Sequence, residues 1–519
     1  MEKETISSRT RLAKGKSGGS SLGNTLPLPA ILILATICLA TVSCQTPDSE
    51  ICRYYQGREA AVSLTFDDGI IDHYTLVAAQ LNRLGMQGTF WVNAAFMGED
   101  ETRLTWDMCR KMAAAGHEIS NHAWSHKNLY NISDEEILQE ISLCDEAIAR
   151  ELGAAPITFC FPYNAYDERT LALAMKGRVG ARTYQEAQGQ ANTHSTPESL
   201  SRWLRGVIDG GEWGVTMTHG IHIGWDQWED ENVLWRFYRE LSGKRDSVWV
   251  DVFAHVASYI TERDNCTLSV KKCGSKLILR PSCSLDPSLY RQPLTARVRL
   301  GEAVLYLDFD PFGGRQTYDL GDPLLGRTVN VFGDSYVRNH NEPMQNTWHY
   351  KVAARHSMVY NNYGINGSSV AFDRSDRGFG VSMLDRFAQM SHKADYILVV
   401  AGHNDAFYIT EHPDSTDVLM ERLDLFCRGL KEQYPGAKLG FVTPWAVDKP
   451  NFPEVIAAIH HTCDKYGIKV LDAAVTSGIE VDNPDFRKRY FQRPDDTAHL
   501  NAAGHDLLID WGDAFLRSL

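Results

Sequence analysis

Short apolar runs alternate with stretches of helical period in two long regions of the chain, separated by a segment of different texture. In the first region, from about residue 52 to 263, residues 62–66, 88–92 and 118–120 read as buried strands, and 76–84 and 106–115 as helices. Ser133-Asp134-Glu135-Glu136 is a capping box, which predicts a helix running to about residue 152. From about 265 to 322 the pattern changes to short alternating runs at 276–279, 296–300 and 304–309, broken by Pro and Gly, which predicts a small β-rich connector. Alternation of strand and helix then returns. Strands are expected at 329–332, 396–400, 439–442 and 469–471, with helices at 418–433, at 453–465 and after Asn501. Such alternation predicts parallel sheets, and no internal repeat relates the two regions, so they are different domains.

The first 43 residues follow another logic. Residues 1–25 are polar and include Arg9, Arg11, Lys14 and Lys16; residues 26–43 are apolar; Cys44 follows Thr41-Val42-Ser43. This is the layout of a secretory signal, and a cysteine directly after small residues resembles a bacterial lipoprotein signal, with Thr41 where Leu is usual. The expectation is a signal peptide at 1–43, lipid on Cys44, and an exported chain held at the membrane of a bacterial cell envelope. An uncleaved anchor is the alternative, although 18 apolar residues are the lower edge of a span and Pro27 and Pro29 weaken it. Nine cysteines follow Cys44, an odd number, and Cys266, Cys273 and Cys283 are the expected disulfide partners.

Composition narrows the function. With 519 residues, 43% hydrophobic and 23% charged, the chain can bury a sizeable core and is not a disordered protein. A net charge of −14 with no basic cluster beyond the first 16 residues argues against binding nucleic acid through its phosphates. The expected division is 1–43 signal, 52–264 first α/β domain, 265–325 connector and 326–519 second α/β domain.

Two acids, Asp67 and Asp68, follow the strand at 62–66 without a spacer. Adjacent carboxylates at a strand's carboxyl end are a costly like-charge pair unless a cation or a proton lies between them. His122 and His126 are spaced so that one helical turn brings both imidazoles to one point, and with a carboxylate they make a two-His, one-carboxylate metal face. Thr65-Phe66-Asp67-Asp68-Gly69, the His122/His126 pair, Phe161-Pro162-Tyr163 and Met217-Thr218-His219-Gly220 together resemble the polysaccharide deacetylase family (NodB homology, carbohydrate esterase family 4) over about residues 55–263. The resemblance implies a deformed (β/α) barrel in which Asp68, His122 and His126 bind a divalent metal, usually zinc. It makes Asp67 the base that deprotonates the attacking water, His219 the acid that protonates the leaving group, and the N–H of Tyr163 a partner of the oxyanion. Cys160 stands where the family usually has an Arg that orients the base, Asn164 replaces a Gly, and the family's Asp-and-Trp fourth motif has no clear match.

In the second region Gly333-Asp334-Ser335 places a serine just beyond a buried strand, without the G-x-S-x-G of an α/β-hydrolase elbow. Gly364, Gly402-His403-Asn404-Asp405 and Asp496-Thr497-Ala498-His499 supply the remaining parts of an acyl-transfer site. Ser335 attacks, His499 takes and returns its proton, Asp496 fixes the imidazole tautomer, and the N–H groups of Ser335 and Gly364 with the Asn404 amide hold the oxyanion. These blocks resemble the SGNH (GDSL-type) hydrolases over about residues 327–519. That resemblance implies a three-layer α/β/α, flavodoxin-like fold that needs no metal. The expected function is an exported bifunctional carbohydrate deacylase acting on an acetylated polysaccharide or glycan. The alternative is a single-activity SGNH esterase carrying a degenerate, glycan-binding barrel.

Overall fold

The computed structural model describes residues 44–377, 379–445 and 449–519. The signal expected at 1–43 lies outside the described residues. Two short strands open the described chain, β1 (Cys44–Gln45) and β2 (Asp48–Ile51). The first α/β region follows, with strands β3 (Ala60–Ser63), β4 (Thr65–Phe66), β5 (Thr89–Val92), β6 (Glu118–Asn121), β7 (Thr158–Cys160), β8 (Gly180–Arg182), β9 (Glu186–Ala187), β10 (Trp213–Met217) and β11 (Val248–Val250). All pair in parallel, in the orders β4-β5-β6-β7-β8 and β11-β3-β10-β9, and a bridge between Phe66 and Thr218 joins the two sheets. The run 60–66 is one strand with a break at Leu64, so the two sheets form a deformed (β/α) barrel. Val62, Leu64, Phe66, Phe90 and Val92 are fully buried, as strands covered by helices require. The expected capping box is present: the Ser133 hydroxyl accepts from Glu136 N, the Glu136 carboxylate accepts from Ser133 N, and the helix runs Asp134–Leu152.

The middle segment is two antiparallel sheets face to face. One has the order β1, β12 (Cys266–Cys273), β13 (Lys276–Cys283) and β16 (Gln316–Asp319); the other has β15 (Ala303–Phe309), β14 (Leu294–Leu300) and β2. The chain's first strands therefore complete sheets built mostly from residues more than 200 positions later. Cys266 pairs with Cys283, and Cys44 pairs with Cys273. The second bond corrects the expected lipid on Cys44, because a sulfur bonded to Cys273 has no valence left for a thioether. It also accounts for the odd count of cysteines after residue 44. The six free cysteines of the described chain are all buried. Among the described residues no helix is long and apolar enough to cross a membrane.

Glu262, near the end of the helix Phe253–Asn265, is fully buried, and among the described residues its carboxylate accepts only from Gln292 N, at 3.0 and 3.1 Å. Burial pushes its carboxyl up to about 8, against an ordinary 4.5. The folded chain therefore holds a proton that the unfolded chain releases, so this contribution is complete below about pH 4.5 and is lost as pH rises to about 8. The urea midpoint of the wild type should fall relative to Glu262→Gln across that window; equal slopes for the two proteins would contradict the assignment.

The last region is a five-stranded parallel sheet in the order β18 (Val359–Gly364), β17 (Thr328–Gly333), β19 (Tyr396–Val400), β20 (Lys438–Val442), β21 (Lys469–Leu471). Counted within the region this is 2-1-3-4-5, the flavodoxin-like order, whose crevice opens at the carboxyl ends of the first and third strands. Helices cover both faces, giving three layers with an apolar core on each side of the sheet. Three arginines, of which Arg338 is buried, lock this layer to the barrel. Arg338 donates to Asn82 O at 3.2 Å and to Asn82 Oδ1 at 2.7 Å, Arg58 donates to Asn361 Oδ1 at 2.8 Å, and Arg245 donates to Asn362 O.

Candidate active sites

Every expected residue of the first site stands at or beyond the carboxyl end of a barrel strand: Asp67 and Asp68 after β4, His122 and His126 after β6, Tyr163 after β7 and His219 after β10. The His122–His126 segment is not the expected helical turn. It is an irregular loop turned by positive φ at Ala123 (63°) and His126 (55°). Side chains hold it in place: Asn93 Nδ2 donates to His122 O and Ala123 O, Asn121 Oδ1 accepts from Ala123 N, and Glu140 accepts from Ser125 N and Oγ. Positive φ at Asp68 (78°) and Tyr163 (61°) adds to a concentration of strained backbone at one site.

The loop brings His126 Nε2 to 3.2 Å and His122 Nε2 to 3.5 Å from Asp68 Oδ1, and His219 Nε2 to 3.8 Å from Asp68 Oδ2. His122 Nδ1–H donates to Cys160 O at 2.9 Å, which leaves the Nε2 lone pair facing Asp68. Asp68 Oδ1 is buried and without a hydrogen-bond partner among the described residues. A carboxylate oxygen and two imidazole nitrogens within 4.8 Å of one another fit a divalent cation. Asp67, His122 and Cys160 also lie close together, but burial pushes the Cys160 thiol up, so it stays protonated, and both Asp67 oxygens are already engaged.

What engages them is Arg182, which sequence reasoning missed. This residue ends β8, is 2% exposed, and forks onto Asp67 with Nη1–Oδ1 at 2.8 Å and Nη2–Oδ2 at 2.5 Å. Cys160 and Arg182 are register partners on β7 and β8. The guanidinium absent at 160 is thus supplied from the neighbouring strand. Burial would raise the Asp67 carboxyl, but Arg182, His122 and His219 outweigh it and hold the group below its ordinary value. The signal available in sequence was an Arg two residues past a glycine at a strand end; only pairing of β7 with β8 shows where it points.

His219 is carried by a loop anchored from the neighbouring loop after β4. Asp72 Oδ2 accepts from the N–H groups of Ile221, His222 and Ile223 at 2.9, 2.7 and 3.2 Å. The His219 ring meets Trp225 edge to face at 5.0 Å, and its Nδ1 is buried with no hydrogen-bond partner among the described residues. Tyr163, 65% exposed, lies edge to face on His126 at 4.6 Å.

The second site assembles at the switch point of the last sheet. Ser335 Oγ is 2.9 Å from His499 Nε2, and His499 Nδ1 is 3.0 Å from Asp496 Oδ2. Asp496 Oδ1 accepts from the N–H groups of Ala498 and His499, so the loop holds its own acid in place, and hydrogen bonds with the imidazole more than offset burial to keep that carboxyl far below its usual range. Asn404, at the start of the helix after β19, donates from Nδ2 to Asp334 Oδ2 and Ser368 O, both at 3.1 Å.

Gly364 requires a correction. Its N–H donates to Asn362 Oδ1 at 2.9 Å and is not free for an oxyanion. Its lack of a side chain serves packing instead, since a Cβ there would lie 2.5 Å from Arg338 N under the Ser335 helix. Three residues on, Gly367 has φ +75°, its carbonyl and that of Ser368 are tied to the Asn404 network, and its N–H makes no hydrogen bond among the described residues.

Comparison with known proteins agrees with both motif sets. Residues 55–179 match the polysaccharide deacetylase family model, and residues 331–507 match that of the GDSL-like lipase/acylhydrolase family. The chain thus joins a region similar to the polysaccharide deacetylases to a region similar to the GDSL-type acylhydrolases. Over 165 residues it is 27% identical to a chitin deacetylase of Arthroderma benhamiae, covering 31% of this chain and 43% of the relative. Over 117 residues it is 31% identical to a peptidoglycan-N-acetylglucosamine deacetylase of Bacillus cereus, covering 22% and 41%. The chain thus spans less than half the length of either relative. A solved family 4 carbohydrate esterase from Streptomyces lividans, in complex with acetate, aligns at 20% identity and a TM-score of 0.30, over 37% of this chain and 92% of its own.

Proposed function

We propose that the chain is an exported, bifunctional deacylase of an acetylated glycan, with a metal-dependent deacetylase site in the barrel and a serine esterase site in the last region. The observation that carries the reading is the presence of two complete and separate proton-transfer sets, Asp67–Arg182 with His219 in one and Ser335–His499–Asp496 in the other. Asp68, His122 and His126 would hold the cation, which supplies acidification of water and polarisation of the acetyl carbonyl. Asp67, fixed by Arg182, accepts the proton of the attacking water; His219 returns one to the leaving nitrogen or oxygen; the Tyr163 N–H faces the oxyanion. The degenerate-barrel alternative rested on the missing arginine, and the Arg182–Asp67 pair supports the active reading over it. Two disulfides in the connector support export to an oxidising compartment.

In the esterase site the Asp496 carboxylate holds the tautomer in which His499 Nε2 accepts the Ser335 proton. We assign the oxyanion to the N–H groups of Ser335 and Gly367 and to the amide of Asn404, which keeps its bond to Asp334 Oδ2 and exchanges the one to Ser368 O for the oxyanion. Losing one such donor costs roughly 2.7–4 kcal/mol, so Asn404→Ala should lower ester turnover by two to three decades with little change in KM. An unchanged kcat would remove Asn404 from the site.

Acetate release from a panel of acetylated glycans by wild type, Asp68→Ala and Ser335→Ala, with and without chelator, tests the whole reading. Chelator and Asp68→Ala should silence one activity and Ser335→Ala the other. Deacetylation indifferent to chelator would sink the barrel assignment.

A further inference from the structure

Arg374 lies outside every motif described above, yet it is 8% exposed and forms no ion pair among the described residues. Its Nη1 donates to two acceptors, Asn404 Oδ1 at 2.7 Å and Gly367 O at 3.0 Å. The guanidinium lies over the Phe379 ring at 4.5 Å, and the same ring fills the space a Cβ on Gly367 would need, 2.0 Å from Phe379 Cδ1. The neighbouring Asp405 clamps the segment from the other side, accepting from Val370 N at 2.9 Å and Ala371 N at 3.0 Å. One buried cation is thus bonded both to the side chain of Asn404 and to the backbone of Gly367.

We propose that Arg374 is a positioning residue of the esterase, which fixes the two oxyanion donors Asn404 and Gly367 relative to each other. The inference rests on the serine-hydrolase reading above. A carboxamide has a donor end and an acceptor end of nearly equal shape, and only the donor end stabilises an oxyanion. A guanidinium has no acceptor, so it tolerates the Asn404 oxygen and repels the NH2 group; with Asp334 Oδ2 and Ser368 O accepting at the other end, it excludes the flipped amide, which would aim its oxygen at the developing negative charge. A full charge on Oδ1 also polarises the amide and strengthens its N–H as a donor. Gly367, at φ +75° in a loop without ladder hydrogen bonds, gains from the same nitrogen an anchor for its backbone. Preorganisation of this kind acts on the transition state and leaves ground-state binding almost untouched.

The test is a double-mutant cycle on the full chain, with a small activated acetyl ester as substrate and the melting temperature measured in parallel. Arg374→Met keeps the apolar stem and removes every donor. It should lower kcat by about 10- to 100-fold with KM within about twofold, as expected for a loosened oxyanion donor. In the Asn404→Ala background the same substitution should cost about threefold or less, because its main target is gone. Arg374→Lys, a point charge that still donates, should recover about a third or more of the lost logarithm of kcat. The proposal falls if Arg374→Met leaves kcat within twofold of wild type, if its effect appears in KM, or if the two single losses multiply in the double variant. If Arg374→Met does not fold, the same cycle run with Arg374→Lys decides between coupled and multiplying losses. Ser335→Ala separates this failure from that of the underlying reading: retained ester hydrolysis overturns the serine site itself, while a dead Ser335→Ala with multiplying losses overturns only the role of Arg374.

Discussion

Ser335→Ala should lower kcat on small acyl esters by about five to six decades and leave chelator-sensitive deacetylation intact, because the nucleophile and its base act as a unit in such sites. The geometry is ready in the resting structure: Ser335 Oγ to His499 Nε2 at 2.9 Å and His499 Nδ1 to Asp496 Oδ2 at 3.0 Å leave one proton-transfer direction open. Beneath the serine, Tyr336 donates to His403 Nδ1 at 3.0 Å and packs on Trp445, so the short helix Ser335–Arg338 has a fixed floor. Alanine at 335 removes the Oγ and nothing that supports the fold, so the melting temperature should stay near that of the wild type. The small residual rate over water comes from the oxyanion donors. Acyl-ester assays beside acetate release from a glycan, both on one preparation, check the result. Loss of both activities together would mean that the two regions do not work independently.

The second large effect is at Arg182. Arg182→Met should lower metal-dependent deacetylation by about two to three decades while metal content stays near that of the wild type, since the change leaves a buried carboxylate unpaired. Asp67 is 2% exposed, and its two oxygens have in Arg182 their only cation within ion-pair distance among the described residues. Without it the carboxyl rises, becomes a poorer acceptor of the water proton at neutral pH, and loses the fork that fixes its plane. Lysine is a poor replacement, because one ammonium cannot bond both oxygens in a plane. Asp68, His122 and His126 are separate side chains, so zinc or another divalent ion should still titrate into the variant. Activity of Arg182→Met equal to wild type would show that Asp67 is not the base; lost metal would show that the arginine supports the cation site instead.

Much of this protein is legible in its residues alone. Asp67-Asp68, the His122/His126 pair, Gly333-Asp334-Ser335 and Asp496…His499 were found because each lies just past a strand or within a single loop, where chemistry and local backbone coincide. The alternation of strand and helix was enough for two parallel-sheet regions, and Ser133 with Glu136 marked a helix start through a purely local bond. Five features needed the tertiary structure. Arg182 reaches Asp67 only through the pairing of β7 with β8, and Cys44 meets Cys273 only through β1 and β12, 229 residues apart. Gly364 and Gly367 are indistinguishable as glycines in a turn, and only the position of Asn362 decides which N–H is free. The histidine pair converges through positive φ rather than through a helical period, and Arg374 meets Asn404 across thirty positions. Sequence determined the groups that carry charge and protons, since those are properties of side chains and their immediate neighbours. Which partner holds each group in its working orientation was decided by strand register and loop closure, which sum weak preferences over the whole chain and leave no short motif behind.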